Sequence, residues 1–135
     1  MDENEISKVI VDSAIEVHRE LGGPGLLESV YEAALAFELE NSGLTVDRQR
    51  TVPIVYKGMR LPGSFRPDLI VNEKVIVECK ATTIYSSVFE AQALTYLRLL
   101  GLRLAMVINF GHRRVSKGVH RVVNGLEESR SKREK

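Results

Sequence analysis

Two short apolar runs, Leu69-Ile70-Val71 and Val75-Ile76-Val77, lie on either side of the polar break Asn72-Glu73. Charge flanks them: Arg66-Pro67-Asp68 comes before the first run and Glu78-Cys79-Lys80 after the second. Strands that are apolar at every position are normally covered on both faces. The segment therefore predicts a buried hairpin with carboxylates where apolar residues would be expected. Unpaired buried charge is costly, so Asp68, Glu78 and Lys80 need partners.

Glu78 and Lys80 are two apart on one strand and share a face. Asp68 joins them only in one register. A two-residue loop at Asn72-Glu73 pairs Asp68 with Val77 and turns it to the opposite face. A three-residue loop, Asn72-Glu73-Lys74, pairs Val71 with Val75 and Asp68 with Glu78, leaving the two acids about 5 Å apart at Cβ. A shared divalent cation thus requires an odd-length loop or a bulge. Magnesium takes oxygen ligands and keeps several waters, so two or three carboxylates suffice. The competing reading is a cross-strand ion-pair group of Asp68, Glu78 and Lys80, which would contribute little.

The rest of the chain surrounds this hairpin. Ile6, Val9, Ile10, Ala14, Val17 and Leu21 fall at helical spacing and predict a helix over residues 4–21, broken by Gly22-Gly23-Pro24-Gly25. A second helix is expected over 26–41, with Leu27, Val30, Tyr31, Ala34 and Leu35 as its apolar stripe. Strands are expected over 44–50, 51–56, 65–71, 74–80 and 104–110, with a short final strand over 118–123. Lys57-Gly58 and Pro62-Gly63-Ser64 read as turns. A third helix is expected over 87–100, with Val88, Ala91, Thr95 and Leu99 along one side and Gly101 as its stop. Strands grouped between helices imply an α/β fold with a mixed central sheet covered on both sides.

At 135 residues the chain is long enough for one domain with a real core, taken as residues 1–125, followed by a basic tail over 126–135. No apolar run approaches the roughly 20 residues of a membrane helix, and the acidic N-terminus does not resemble a signal peptide. The single cysteine, Cys79, excludes an internal disulfide and a cysteine-rich zinc site, and a reducing cytoplasm is expected. The net charge of +1 is unevenly spread. Residues 112–135 hold eight Lys/Arg against three acids, whereas residues 1–111 hold eleven against fifteen. An acidic body with a basic end suits a metal site beside a polyanion. Arg48, Arg50, Lys57, Arg60, Arg113, Arg114 and Lys117 are candidates for phosphate contacts. His18, near the end of the first helix, is a candidate acid/base or phosphate contact, or else a half-exposed helix residue favoured by the C-terminal dipole.

Asp68, a gap of nine residues, then Glu78-x-Lys80, with Pro67 in front, resembles the PD-(D/E)XK motif of restriction-endonuclease-like nucleases. Gly25-Leu26-Leu27-Glu28-Ser29-Val30-Tyr31 fits a Gly-x-x-Glu-x-x-Tyr pattern, and Gln92-x-x-x-Tyr96 resembles a helix motif of the exonuclease-like branch. Together they resemble the GxxExxY family of that superfamily. The resemblance implies a three-layer α/β/α restriction-endonuclease-like core. It implies that Asp68 and Glu78 bind Mg²⁺ or Mn²⁺, with the Cys79 backbone carbonyl as a further ligand and Glu28 completing the set. It also implies that Lys80 orients the attacking water and neutralises the phosphate, with Gln92, Tyr96, Tyr31 and His18 in supporting positions. Because Tyr31 belongs to the apolar stripe and Glu28 lies three residues before it, Glu28 is expected to point inward.

The function expected on this basis is metal-dependent hydrolysis of nucleic-acid phosphodiester bonds, with DNA as the expected substrate and a homodimer as one arrangement that would enlarge the phosphate-contacting surface. The alternative is a non-catalytic nucleic-acid-binding or protein-interaction module that keeps the nuclease fold.

Overall fold

The computed structural model describes residues 1–126. Helix α1 (Glu3–Glu20) starts at a capping box in which Asp2 accepts from the Glu5 amide and Glu5 accepts from the Asp2 amide. Its inner stripe, Ile6, Ile10, Ala14 and Val17, is buried, while Leu21 falls outside it. Helix α2 (Glu28–Asn41) begins two residues later than its apolar pattern suggests. Tyr31, Leu35 and Leu39 form its buried side, and Leu27 and Val30, expected in the stripe, are exposed. The helix is apolar on more than one side, so periodicity alone does not choose which side turns inward.

Strands β1 (Val46–Arg48), β4 (Leu69–Val71), β5 (Val75–Lys80), β6 (Leu104–Asn109) and β7 (Val119–Val123) form a five-stranded sheet in the order β1-β4-β5-β6-β7. Only the β5–β6 pair is parallel, and helix α3 (Val88–Leu100) makes the crossover between them. Gly101, left-handed at φ 69°, ends α3. Alternation along the strands builds two cores. Leu69, Val71, Val75, Val77, Cys79, Met106 and Ile108 face α1 and α2. Ile76, Ala105 and Val107 face α3 through Ala93 and Leu97. The expected α3 face of Val88, Ala91, Thr95 and Leu99 is instead the exposed one. The result is the three-layer, mixed-sheet α/β/α fold that the strand pattern predicted. No helix among the described residues is long and apolar enough to cross a membrane.

One departure matters for the site. The expected strand 65–71 is two strands. Met59–Phe65 is β3, which pairs with β2 (Val52–Tyr56) as a separate two-stranded hairpin. Arg66-Pro67-Asp68 then carries the chain into β4, and Pro67 supplies the break. Pro62-Gly63-Ser64, read as a turn, lies inside β3. Pairing on one side only, at a sheet edge, tolerates those residues. Of the expected tail, only Leu126 is described; it packs against the α1/α2-side core, and residues 127–135 lie outside the described range.

Candidate active site

The β4–β5 loop has three residues. Val71 pairs with Val75, Ile70 with Ile76 and Leu69 with Val77, which brings Asp68 opposite Glu78. Asn72 and Glu73 take left-handed backbone angles (φ 51° and 55°), and the Lys74 amide closes the loop on Val71 O at 3.0 Å. Asn72 also accepts from the Thr45 amide at 2.8 Å, tying the loop to the entry of β1.

The two acids are laced together. The Asp68 amide donates to Glu78 Oε2 and the Cys79 amide donates to Asp68 Oδ2, both at 2.8 Å. Each carboxylate thus takes a backbone donor from the other's strand. Among the described residues neither forms an ion pair with Lys80, so the cross-strand ion-pair grouping is not formed. Lys80 shares the α3-side face with Glu78, and its Nζ lies 4.6 Å from the centroid of the Phe89 ring. Burial, reinforced by Asp68, pushes the Glu78 carboxyl up to about 8 despite its backbone hydrogen bond and the charge of Lys80.

The buried acid of α2 is Glu32, not Glu28. Glu28 opens the helix and is exposed, because the chain becomes helical only at that residue. It lies on the rim of a cleft of about 410 Å³ with Leu26, Leu27, Ser29 and Ala81, next to Lys80 in the chain. Glu32, one turn on, is buried. It accepts from Arg48 Nη2 at 3.2 Å and from Gln49 Nε2 at 2.8 Å. The same Gln49 nitrogen reaches Asp68 Oδ1 at 3.2 Å, and the Gln49 amide donates to Asp68 O. Gln49 has a left-handed backbone (φ 55°), which is unusual for a residue of its kind and typical of sites where neighbours over-determine the conformation. Burial raises the Glu32 carboxyl and Asp68 adds to the rise. A glutamate within an apolar helical stripe was the available signal for Glu32. Gln49 had none, since its role depends on a long-range approach.

The supporting positions divide. Tyr96 is on α3: burial raises its phenol, and the charges of Glu78 and Asp68 raise it further. It stacks on Phe65 at 4.5 Å, fastening the base of the β2–β3 hairpin to α3. Gln92, one turn earlier, is exposed. Tyr31 acts on the glycine loop: its hydroxyl donates to Gly23 O at 2.7 Å and accepts from the Leu26 amide at 3.2 Å, while its ring stacks on Phe110 at 4.8 Å. His18 is buried rather than half-exposed and its Nε2 bonds Phe110 O at 3.2 Å, so it braces the end of β6 and makes no contact with the acids. Cys79 points into the α1/α2-side core, and burial among four nearby carboxylates raises its thiol, which leaves it a packing residue. Arg113, Arg114 and Lys117 are exposed in the loop after β6, at the sheet end where β5 also finishes.

Asn109 was not anticipated. Its side-chain oxygen accepts from the Thr82 and Gly111 amides and its nitrogen donates to Thr82 O, all within 3.1 Å, locking the loop after Lys80 to the loop after β6. Together with Pro24, Gly25 and Leu26, these loops line a second cleft of about 430 Å³.

Asp68 and Glu78 are hard oxygen donors opposite one another, and burial, reinforced by Asp68, raises the Glu78 carboxyl. Such a donor set suits Mg²⁺ or Mn²⁺, which complete their shells with water. Among the described residues no three His, Cys, Asp or Glu side chains already converge as a metal-holding group. The three-layer α/β/α fold thus carries paired acids and a lysine at one end of a central hairpin. The family model described as the PD-(D/E)XK nuclease superfamily matches residues 4–122, and the chain belongs to that superfamily. No match was found among curated proteins or among solved structures.

Proposed function

We propose that this protein is a metal-dependent nuclease that hydrolyses phosphodiester bonds of nucleic acid, with DNA as the preferred substrate, and that within the superfamily it is of the GxxExxY kind. The observation that carries the reading is the facing pair Asp68 and Glu78 with Lys80 on the same strand face as Glu78. Asp68 and Glu78 would hold Mg²⁺ or Mn²⁺, with the Cys79 carbonyl and water as further ligands. When bound, the ion supplies a lowered water pKa and Lewis-acid stabilisation of the phosphate.

The chain's own residues do the rest. Lys80 offers a cation to the charge that builds on the phosphate oxygens. Glu28 has no ion pair among the described residues and lies on the cleft rim beside Ala81, so it is the acid available to complete the set. Glu32 is already engaged by Arg48 and Gln49 and instead holds Gln49 against Asp68. The single, buried cysteine suits a reducing compartment, taken as the cytoplasm. A domain over 1–125 with a basic tail over 126–135 suits a polyanion partner, and pairing of two copies would double the phosphate-contacting surface.

Incubation of the protein with labelled DNA and RNA over a Mg²⁺ and Mn²⁺ series tests the reading. Wild type should cut only with metal, Asp68→Ala should lose both metal binding and cutting, and Lys80→Ala should keep metal and lose cutting. A wild type that binds metal and nucleic acid but never cuts would establish the non-catalytic module instead.

A further inference from the structure

The β2–β3 hairpin stands apart from the five-stranded sheet. Residues 51–66 contain Lys57, Arg60 and Arg66 and no acid, although the first 111 residues as a whole carry more acids than cations. Among the described residues none of these three forms an ion pair, whereas Arg48 is held by Glu32 and Arg50 by Asp47 and Glu73. The tip is also apolar: Val55, Tyr56 and Met59 are each more than half exposed. Register puts Tyr56 opposite Met59 and Val55 opposite Arg60, so each face of the tip presents apolar surface and one face adds a cation.

The turn supports a purpose for the tip. Lys57 and Gly58 are both left-handed (φ 51° and 79°), as a two-residue hairpin loop of type I′ requires. Asn or Asp would adopt the first position at lower cost, yet a lysine occupies it. The base of the arm is anchored, with Val52 and Phe65 buried and Phe65 stacked on Tyr96 of α3. Two residues, Arg66 and Pro67, separate Phe65 from Asp68. An arm of five residues reaches about 16 Å, at roughly 3.3 Å per residue.

We infer that the β2–β3 hairpin is a nucleic-acid-gripping arm, in which Lys57 and Arg60 contact backbone phosphates and the apolar tip lies against sugars or bases. The inference rests on the proposed nuclease reading and extends it to where the substrate runs. With one phosphate per roughly 3.4 Å of each strand, the arm meets phosphates up to about five nucleotides from the scissile bond. Unpaired cations beside exposed apolar groups, with no acid among them, match a polyanion that has stacking surface between its charges.

The test is the affinity of a short fluorescent DNA duplex for the full chain, measured by anisotropy over a salt series with chelator present to prevent turnover. Lys57→Ala/Arg60→Ala should bind roughly tenfold more weakly, and the slope of log K against log salt should fall by about two. Lys57→Arg/Arg60→Lys should restore both. The melting temperature should not move in either variant, because the tip makes no buried contact. Wild-type binding with an unchanged affinity and slope in the alanine variant would overturn the arm and leave the nuclease reading intact. A wild type that binds neither DNA nor RNA would remove the nuclease reading and the arm together. Wild-type capture by anionic vesicles but not by DNA, lost in the alanine variant, would reassign the arm to a membrane surface.

Discussion

At the residue scale, the site is a balance between carboxylates and the few groups that offset them. Glu78 is the pressured member. Its carboxyl, pushed up to about 8 by burial and by Asp68, binds a proton in the folded state that the unfolded chain releases near pH 4.5. The stabilisation is complete below about pH 4.5, declines as pH rises toward 8 and is gone above it. In the absence of metal, urea unfolding should show stability falling on the order of 5 kcal/mol across that window, and Glu78→Gln should flatten the fall. A profile with the same slope in both proteins would contradict the assignment. The sequence drew attention to Asp68, Glu78 and Lys80 because charge interrupted apolar strands, and the strand register sets Asp68 opposite Glu78. Glu32 was half legible and was eclipsed by Glu28, which carries the better motif. Gln49 was not legible, because its bonds to Glu32 and Asp68 span 17 and 19 residues.

At the scale of elements, short connections decide where the acids point. The three-residue β4–β5 loop meets a condition the sequence left open, that Asp68 joins Glu78 only through an odd-length loop or a bulge, since strand alternation leaves no intermediate. The β2–β3 hairpin was less legible: glycine and proline inside β3 read as a turn when a lightly constrained edge tolerates them. The glycine loop before α2 depends on Tyr31. Tyr31→Phe should cost about 1–2 kcal/mol in urea unfolding, because the Gly23 carbonyl loses its donor and the Leu26 amide its acceptor, and amide exchange should quicken at Leu26. The loops beyond β5 and β6 meet more tightly. A Cβ on Gly111 would lie 2.5 Å from both the Thr82 nitrogen and oxygen, and backbone cannot yield as a side chain does. Gly111→Ala should lower the melting temperature by several degrees, at about 2 kcal/mol or more, and reduce cleavage by displacing the segment that follows Lys80.

At the scale of the whole molecule, the sheet sorts the work between its faces. The α1/α2 side is a continuous apolar core that takes Cys79 and the Tyr31–Phe110 stack. The α3 side takes Glu78, Lys80 and Tyr96. The three-layer architecture was legible because the middle strands are apolar at every position. The face that α3 buries was not, because Ala93 and Leu97 compete with a second apolar stripe that ends in solvent. The central claim is that Asp68 and Glu78 together hold a divalent cation, and calorimetric titration of Mn²⁺ into the protein at pH 7, repeated in buffers of different ionisation enthalpy, tests it most directly. A Glu78 carboxyl near 8 must be deprotonated to ligate, so binding should release about one proton per ion. That release should vanish in Glu78→Gln, and binding itself should vanish in Asp68→Ala. Binding without proton release, or binding that survives Asp68→Ala unchanged, would contradict the account.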